Sequence, residues 1–182
     1  ESNTFSSTTP VAFTTPSGNL ANVTITDTTG FDLQVLTLSG NLDVTSGGSI
    51  TQSGGGALTI GGTTTLLTSG EGGIIDLGTT SNKFTGALLI TTNDNTDGSD
   101  GLYEADVTID GGEIAALVIG NSTIDGDLTL INGNASGITD ASGATVTVNG
   151  NLSATTDANN GVITLDGLTV TGTITLTTDG TG

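Results

Sequence analysis

One strand-sized motif returns eight times along this chain. It reads Gly or Ala, any residue, apolar, any residue, apolar, usually with Thr close behind. Copies begin at Gly18 (GNLANVT), Gly40 (GNLDVT), Gly62 (GTTTLLT), Gly86 (GALLITT), Ala105 (ADVTID), Gly126 (GDLTLI), Gly150 (GNLSATT) and Gly172 (GTITLTT), at spacings of 22, 22, 24, 19, 21, 24 and 22 residues. Apolar residues two apart on a Thr- and Val-rich segment mark one face of a β-strand. Further short alternating pieces lie between the copies, at residues 49–52, 74–77, 137–139 and 162–165. Gly-Gly, Asn-Gly and Asp-Gly turns separate them, and no helical period appears.

A period of roughly 22 residues carrying two or three short strands fits a parallel β-helix, or solenoid, in which each coil pairs with the next and the core forms only by stacking. Eight such coils predict a rod of about 35 to 40 Å. An antiparallel β-sandwich or jelly roll is the alternative, because frequent short strands between turns also describe it. The repeat favours the solenoid, since a sandwich has no need to repeat one strand. A coarser echo, Gly40 to Ile90 against Gly126 to Leu176, indicates an internal duplication.

Composition narrows the function. The 182 residues suffice for one domain. Aromatic residues make up 3%, so the core is built from Leu, Ile, Val and Ala. Nineteen acidic residues against one basic residue, Lys83, leave a net charge of −18, which repels nucleic acid and anionic lipid. No apolar run approaches the roughly 20 residues that span a bilayer. Cys and His are absent and Lys83 is the one Lys or Arg, so nucleophilic triads and most metal sites are unavailable. A carboxylate-pair glycosidase stays formally open, but the acids are scattered and Tyr103 and four Phe are the aromatic complement. The expectation is a protein that is no enzyme. The start at Glu1, without Met, fits a mature secreted form.

The phrases LTLSGNLDVTSGGSITQSGGGALTIGGTTTLLTSG and FTGALLITT, with their echoes TIDGDLTL and VTGTITLTT, resemble the repeat region of filamentous-haemagglutinin-type bacterial adhesins over roughly Phe31 to Gly180. The resemblance implies a right-handed β-helix, an extracellular or cell-surface location, and no catalytic residues. Members of that family are usually much longer chains. A short solenoid reaches length by polymerising.

Three features carry candidate sites. Residues 1–17 precede the solenoid region, 18–182, and hold Phe5, Val11 and Phe13 among Ser and Thr, with Pro10 and Pro16 discouraging a central strand. This extension is a strand donated to a neighbouring subunit, a cap or a tail. The segment from Asn93 to Glu104 matches the spacing of a Ca²⁺-binding loop, with Asn93, Asn95, Asp97, Ser99 and Glu104 as oxygen ligands and Gly98 at the turn. A solvated turn is the competing reading, because position 1 is Asn and no helices flank it. Ca²⁺ is the sole candidate cofactor. Stacking is also expected to set Asp32, Asp43, Asp76, Asp127 and Asp166 in acidic rows.

The expected function is an extracellular structural subunit that assembles with copies of itself into a surface filament or adhesive fibre, by end-to-end stacking and N-terminal strand donation. Cell-surface glycans or proteins are the expected further partners. The alternative is a monomeric adhesin fragment, or an ice-binding module built on alternating threonines such as those of residues 171–177. Four Asn-X-Ser/Thr sequons, at Asn22, Asn121, Asn134 and Asn151, permit glycosylation without indicating it.

Overall fold

Strict apolar–polar alternation gives short strands with one buried edge, and no one of them can bury that edge alone. The computed structural model describes residues 3–5, 11, 13, 15–78, 82–93, 105–157 and 161–178. Among these there is no helix. Every strand pair is parallel, which excludes the sandwich. The chain is a β-solenoid of about six turns.

Coils one to three visit three faces in the same order, and from coil four on the strand that follows the second face joins the first-face sheet. Coil one comprises β1 (Val23–Asp27), β2 (Phe31–Asp32) and β3 (Leu36–Leu38); coil two β4 (Leu42–Ser46), β5 (Ile50–Thr51) and β6 (Leu58–Ile60); coil three β7 (Thr64–Thr68), β8 (Ile75–Leu77) and β9 (Lys83–Phe84). Coil four comprises β10 (Leu88–Thr91), β11 (Val107–Asp110) and β12 (Leu117–Ile119); coil five β13 (Ser122–Ile124), β14 (Leu128–Asn132) and β15 (Ile138–Asp140). Coil six comprises β16 (Val146–Val148), β17 (Leu152–Thr156) and β18 (Ile163–Thr164), and coil seven holds β19 (Leu168–Val170) and β20 (Ile174–Thr178).

The second face is one unbroken ladder, β2-β5-β8-β11-β14-β17-β20. The first face branches at coil four. Leu88 of β10 pairs with Ile119 of β12, and Thr91 with Thr123 of β13, so β10 spans the Gly120–Asn121 corner of the turn above. From there β12-β15-β18 and β13-β16-β19 run side by side.

Inward side chains stack in columns. On the second face Ile75, Val107, Leu128 and Leu152 lie in register, and beside them Leu77, Ile109, Leu130 and Ala154, all at most 1% exposed. Each fully buried Leu, Ile or Val contributes about 1.5 to 3 kcal/mol. One polar network is set among these columns: Asn82 accepts from Leu58 N–H and Gln52 Nε2 (both 2.8 Å) and donates to Leu77 O (3.0 Å) and Asp110 O (3.1 Å). It ties coils two, three and four together, and its donors and acceptors are paired as burial requires.

The eight motif copies do not make eight coils. Those at Gly40, Gly62 and Gly86 lie on the first face and those at Ala105, Gly126, Gly150 and Gly172 on the second. The copies at Gly86 and Ala105 fall within one coil, because more chain separates β10 from β11 than separates the first two strands of the other coils; Val107 pairs with Ile75, 32 positions earlier. The duplicated block therefore restarts one face later than it began. The copy at Gly18 is also out of phase. Val23 and Ile25, not Leu20 and Asn22, stand in register with Leu42 and Val44, while Leu20 bridges to Leu38 on the third face.

The acidic rows do not form either. Asp43 is flanked by Thr24 and Thr65, Thr51 separates Asp32 from Asp76, and Asp166 lies in the turn between β18 and β19. Like charges one strand step apart repel, and Thr between them removes the contact.

Candidate functional site

Short polar side chains at the corners, which in the copies at Gly40, Ala105, Gly126 and Gly150 directly follow the first residue, explain why the motif exists. Asn22 Oδ1 accepts the N–H of Asn41 (2.7 Å), and Asn41 Oδ1 accepts that of Thr63 (3.0 Å). On the second face Asp106 Oδ1 accepts from Asp127 N–H (2.7 Å), Asp127 Oδ1 from Asn151 N–H (2.6 Å), and Asn151 Oδ1 from Thr173 N–H (2.9 Å). Each short amide or carboxylate thus reaches up one coil to a backbone donor at the corner. The glycine above makes room: a Cβ on Gly40, Gly62, Gly126 or Gly150 would lie 2.2 to 2.5 Å from the oxygen rising from below. Asp127 also accepts from Asn151 Nδ2, and this places Asp127 in a bonded ladder and not in a free acidic row.

The two ends of the stack differ. At the lower end the N-terminal segment pairs with coil one. Asn3 N–H donates to Thr26 O (2.9 Å), Thr28 N–H donates to Asn3 O (2.9 Å), and Asn3 bridges Asp27 in parallel. Phe5 N–H donates to Asp27 Oδ2 (2.7 Å), and the Thr29 hydroxyl to Phe5 O (3.1 Å). The Phe5 ring meets Phe31 edge-on, centroids 5.7 Å apart. Phe5, Val11, Phe13 and Leu20 are partly buried against the core. Asn3 thus bridges to the end of β1, and Leu20 bridges to Leu38 of β3 on the third face.

Asp27 ties the N-terminal segment down. It is 2% exposed, and its Oδ1 accepts from the N–H (2.7 Å) and hydroxyl (2.8 Å) of Thr29. Burial pushes its pKa up, but the N–H groups of Thr29 and Phe5 and the Thr29 hydroxyl outweigh it and hold the carboxyl below its ordinary 3.8. Nothing in the sequence pattern singles Asp27 out, since its partners come from 22 residues away as well as two.

At the upper end the columns are open. Ile174 and Leu176 continue the columns of Leu152 and Ala154, yet are 50% and 54% exposed. In lower coils the equivalent N–H groups bond upward: Leu128 to Asn151 O and Leu152 to Thr173 O, both 2.8 Å. Ile174 N–H has the same orientation. Ile163, Leu165, Leu168 and Val170 are partly buried around it.

Of the Ca²⁺ loop residues, Asn93 is described, and its Nδ2 donates to Ser69 O (3.4 Å). Asn95, Asp97, Ser99 and Glu104 lie outside the described residues. Among the described residues no group of three or more acidic side chains is arranged to hold a metal. Asp110 has the carboxylates of Asp157 and Glu113 near it. Burial raises its pKa and the charges of Asp157 and Glu113 raise it further, against a bond from Gly112 N–H.

Two shallow grooves are lined by hydroxyls. The larger, about 470 Å³, runs along Thr139, Asp140, Ser142, Thr164 and Asp166, where Asp140 is held by Gly167 N–H (2.6 Å). The other lies along Thr91, Thr123 and Thr147, part of an outward column, Thr91, Thr123, Thr147, Thr169, in direct register. No described helix is long and apolar enough to cross a membrane.

These features define a repeat β-solenoid protein. Residues 20–91, from the Leu20 bridge through β10, match the family described as repeats of unknown function (DUF5649). No curated protein and no solved structure matches the chain.

Proposed function

We propose that this protein is an extracellular structural subunit, an adhesin-type rod that lengthens end to end into a surface filament or adhesive fibre. One observation carries the reading. The second face stacks seven strands in one parallel ladder over in-register columns of Leu, Ile and Val, a rod that grows by adding coil upon coil. An open parallel edge backed by apolar columns is a template for strand addition. On this reading the protein is no enzyme, binds neither nucleic acid nor membrane lipid, and meets copies of itself and then cell-surface glycans or proteins. Ca²⁺ bound at residues 93–104 would be its sole cofactor.

The column Thr91, Thr123, Thr147, Thr169 favours a second reading, a monomeric module whose regular hydroxyls order water or ice. Light scattering over a hundredfold concentration range, with negative-stain imaging at the top of it, separates the two. Fibres growing with concentration are expected; isolated short rods throughout would reject assembly and leave the monomeric module.

A further inference from the structure

The charge of this chain is unevenly placed around the solenoid. Of nineteen acidic residues, one, Asp43, points outward from the first-face strands β1, β4, β7, β10, β13, β16 and β19. Thr fills eight of the eleven outward positions on those strands, and Leu67 and Leu89 fill two more. Asp125 stands at the rim, bonded by Asn149 Nδ2 (2.7 Å). The second face differs: Asp32, Asp76 and Asp110 point outward from it, and Asp106 and Asp127 line its corner. We propose that the first face is an interaction surface whose partner is the first face of a second copy, so that rods pair side by side. This contact goes beyond end-to-end growth and does not rest on it.

Charge selects both the face and the partner. Two copies at −18 repel wherever their carboxylates approach, and a carboxylate taken out of water without a partner is costly. A second copy brings no compensating cation, since Lys83, the one basic residue, lies on the third face. A basic partner would choose the acidic second face instead. On the first face, facing Thr hydroxyls can donate and accept at once, and their methyl groups pack.

Side chains and register agree. Leu67 and Leu89 are half-buried on neighbouring strands, Leu89 beside Thr65 and Leu67 beside Thr91. They form an apolar centre rimmed by Thr, the arrangement of a protein interface. A two-fold axis along β10 sets Leu89 against its counterpart. It also sets Asp43 of β4 against the level of β16, where the outward residue is Thr147, so the two carboxylates do not meet. The contact is then isologous, the same surface on both copies. At about 4.8 Å between strands and about 3.3 Å per residue the seven strands present about 500 Å² on each copy, the low end for a specific interface. Pairing is therefore weak and sensitive to salt.

Sedimentation equilibrium with small-angle X-ray scattering, at about 0.01 and 0.15 M NaCl, tests the pairing. A monomer–dimer equilibrium is expected, at least about tenfold tighter at the higher salt, with a rod cross-section that doubles while its length stays constant. T91E/T123E, at two exposed positions, is expected to remain monomeric with an unchanged circular dichroism spectrum. L89A adds no charge and is expected to pair about tenfold more weakly. T129E/T155E adds the same charge to outward positions of the second face and is expected to pair as the unaltered chain does. Pairing of T91E/T123E equal to that of the unaltered chain would overturn the assignment. Equal loss in T129E/T155E would overturn it too, by tracing the effect to net charge. Growth in length at constant cross-section would support end-to-end assembly and refute side-by-side pairing. A monomer in every condition refutes pairing, and ice crystals shaped by that monomer would assign the Thr column to ordered water instead.

Discussion

Thr64 interrupts a leucine column. It stands between Leu42 and Leu88, is fully buried, and its hydroxyl has no hydrogen-bond partner among the described residues. A buried, unpaired hydroxyl costs about 1 to 3 kcal/mol. Thr64→Val keeps the shape and the β-branch while removing that group. It is expected to raise unfolding free energy by about 1 kcal/mol or more, read as a higher midpoint in urea with an unchanged slope. Its place in the column was legible from the sequence, because the second position of the motif is otherwise apolar from Leu42 onward. Its missing partner was not, since that depends on which atoms of coils two and four surround it.

At the scale of elements, Asp27 ties Phe5 to coil one through the charged bond of that contact. The carboxyl has a folded pKa below 3.8, so its stabilisation is fully present above that value and is lost as the pH falls through the folded value. Asp27→Asn replaces one acceptor by a donor facing Phe5 or Thr29 N–H. It is expected to cost about 1 to 3 kcal/mol at pH 7 and to remove this acid-dependent step. Hydrogen exchange at Phe5 and Thr29, followed from pH 6 down to pH 3, checks it: the unaltered protein should lose protection towards the acid end, the variant should lack it throughout. The motif's spacing predicted strands from Leu42 to Leu176 but misplaced the first copy, because GNLANVT satisfies the pattern at Leu20 while pairing selects Val23. A one-face shift costs nothing in local propensity; it is decided by what lies opposite.

At the scale of the whole molecule, a charge of −18 is spread over a rod with one lysine. Self-repulsion opposes the folded stack, and salt screens it over a Debye length that falls from about 30 Å at 0.01 M to about 8 Å at 0.15 M. Thermal unfolding is expected to shift upward by a few degrees between those two NaCl concentrations. A Tm that is flat or falls with salt would show that local bonding of the carboxylates, as at Asp127, already relieves the repulsion. The Asn and Asp ladder was written in the sequence, since Asn41, Asp106, Asp127 and Asn151 each follow the motif's first residue. Its function was not, because the bond runs to a donor about 20 residues ahead.

The sequence by itself determined that this chain is all-β, that its strands are short and half-buried, and that they repeat at the length of one coil. Period-two alternation, Thr and Val content and Gly-rich turns are local properties, and they agree along the whole chain. Only the tertiary structure decided which face each copy occupies, that coil four absorbs two copies, and that Val23, not Leu20, stands in register with Leu42. Those outcomes depend on stacking between residues 19 to 32 positions apart, where a strand accepts any neighbour with the right apolar spacing and the lengths of the intervening turns choose among them.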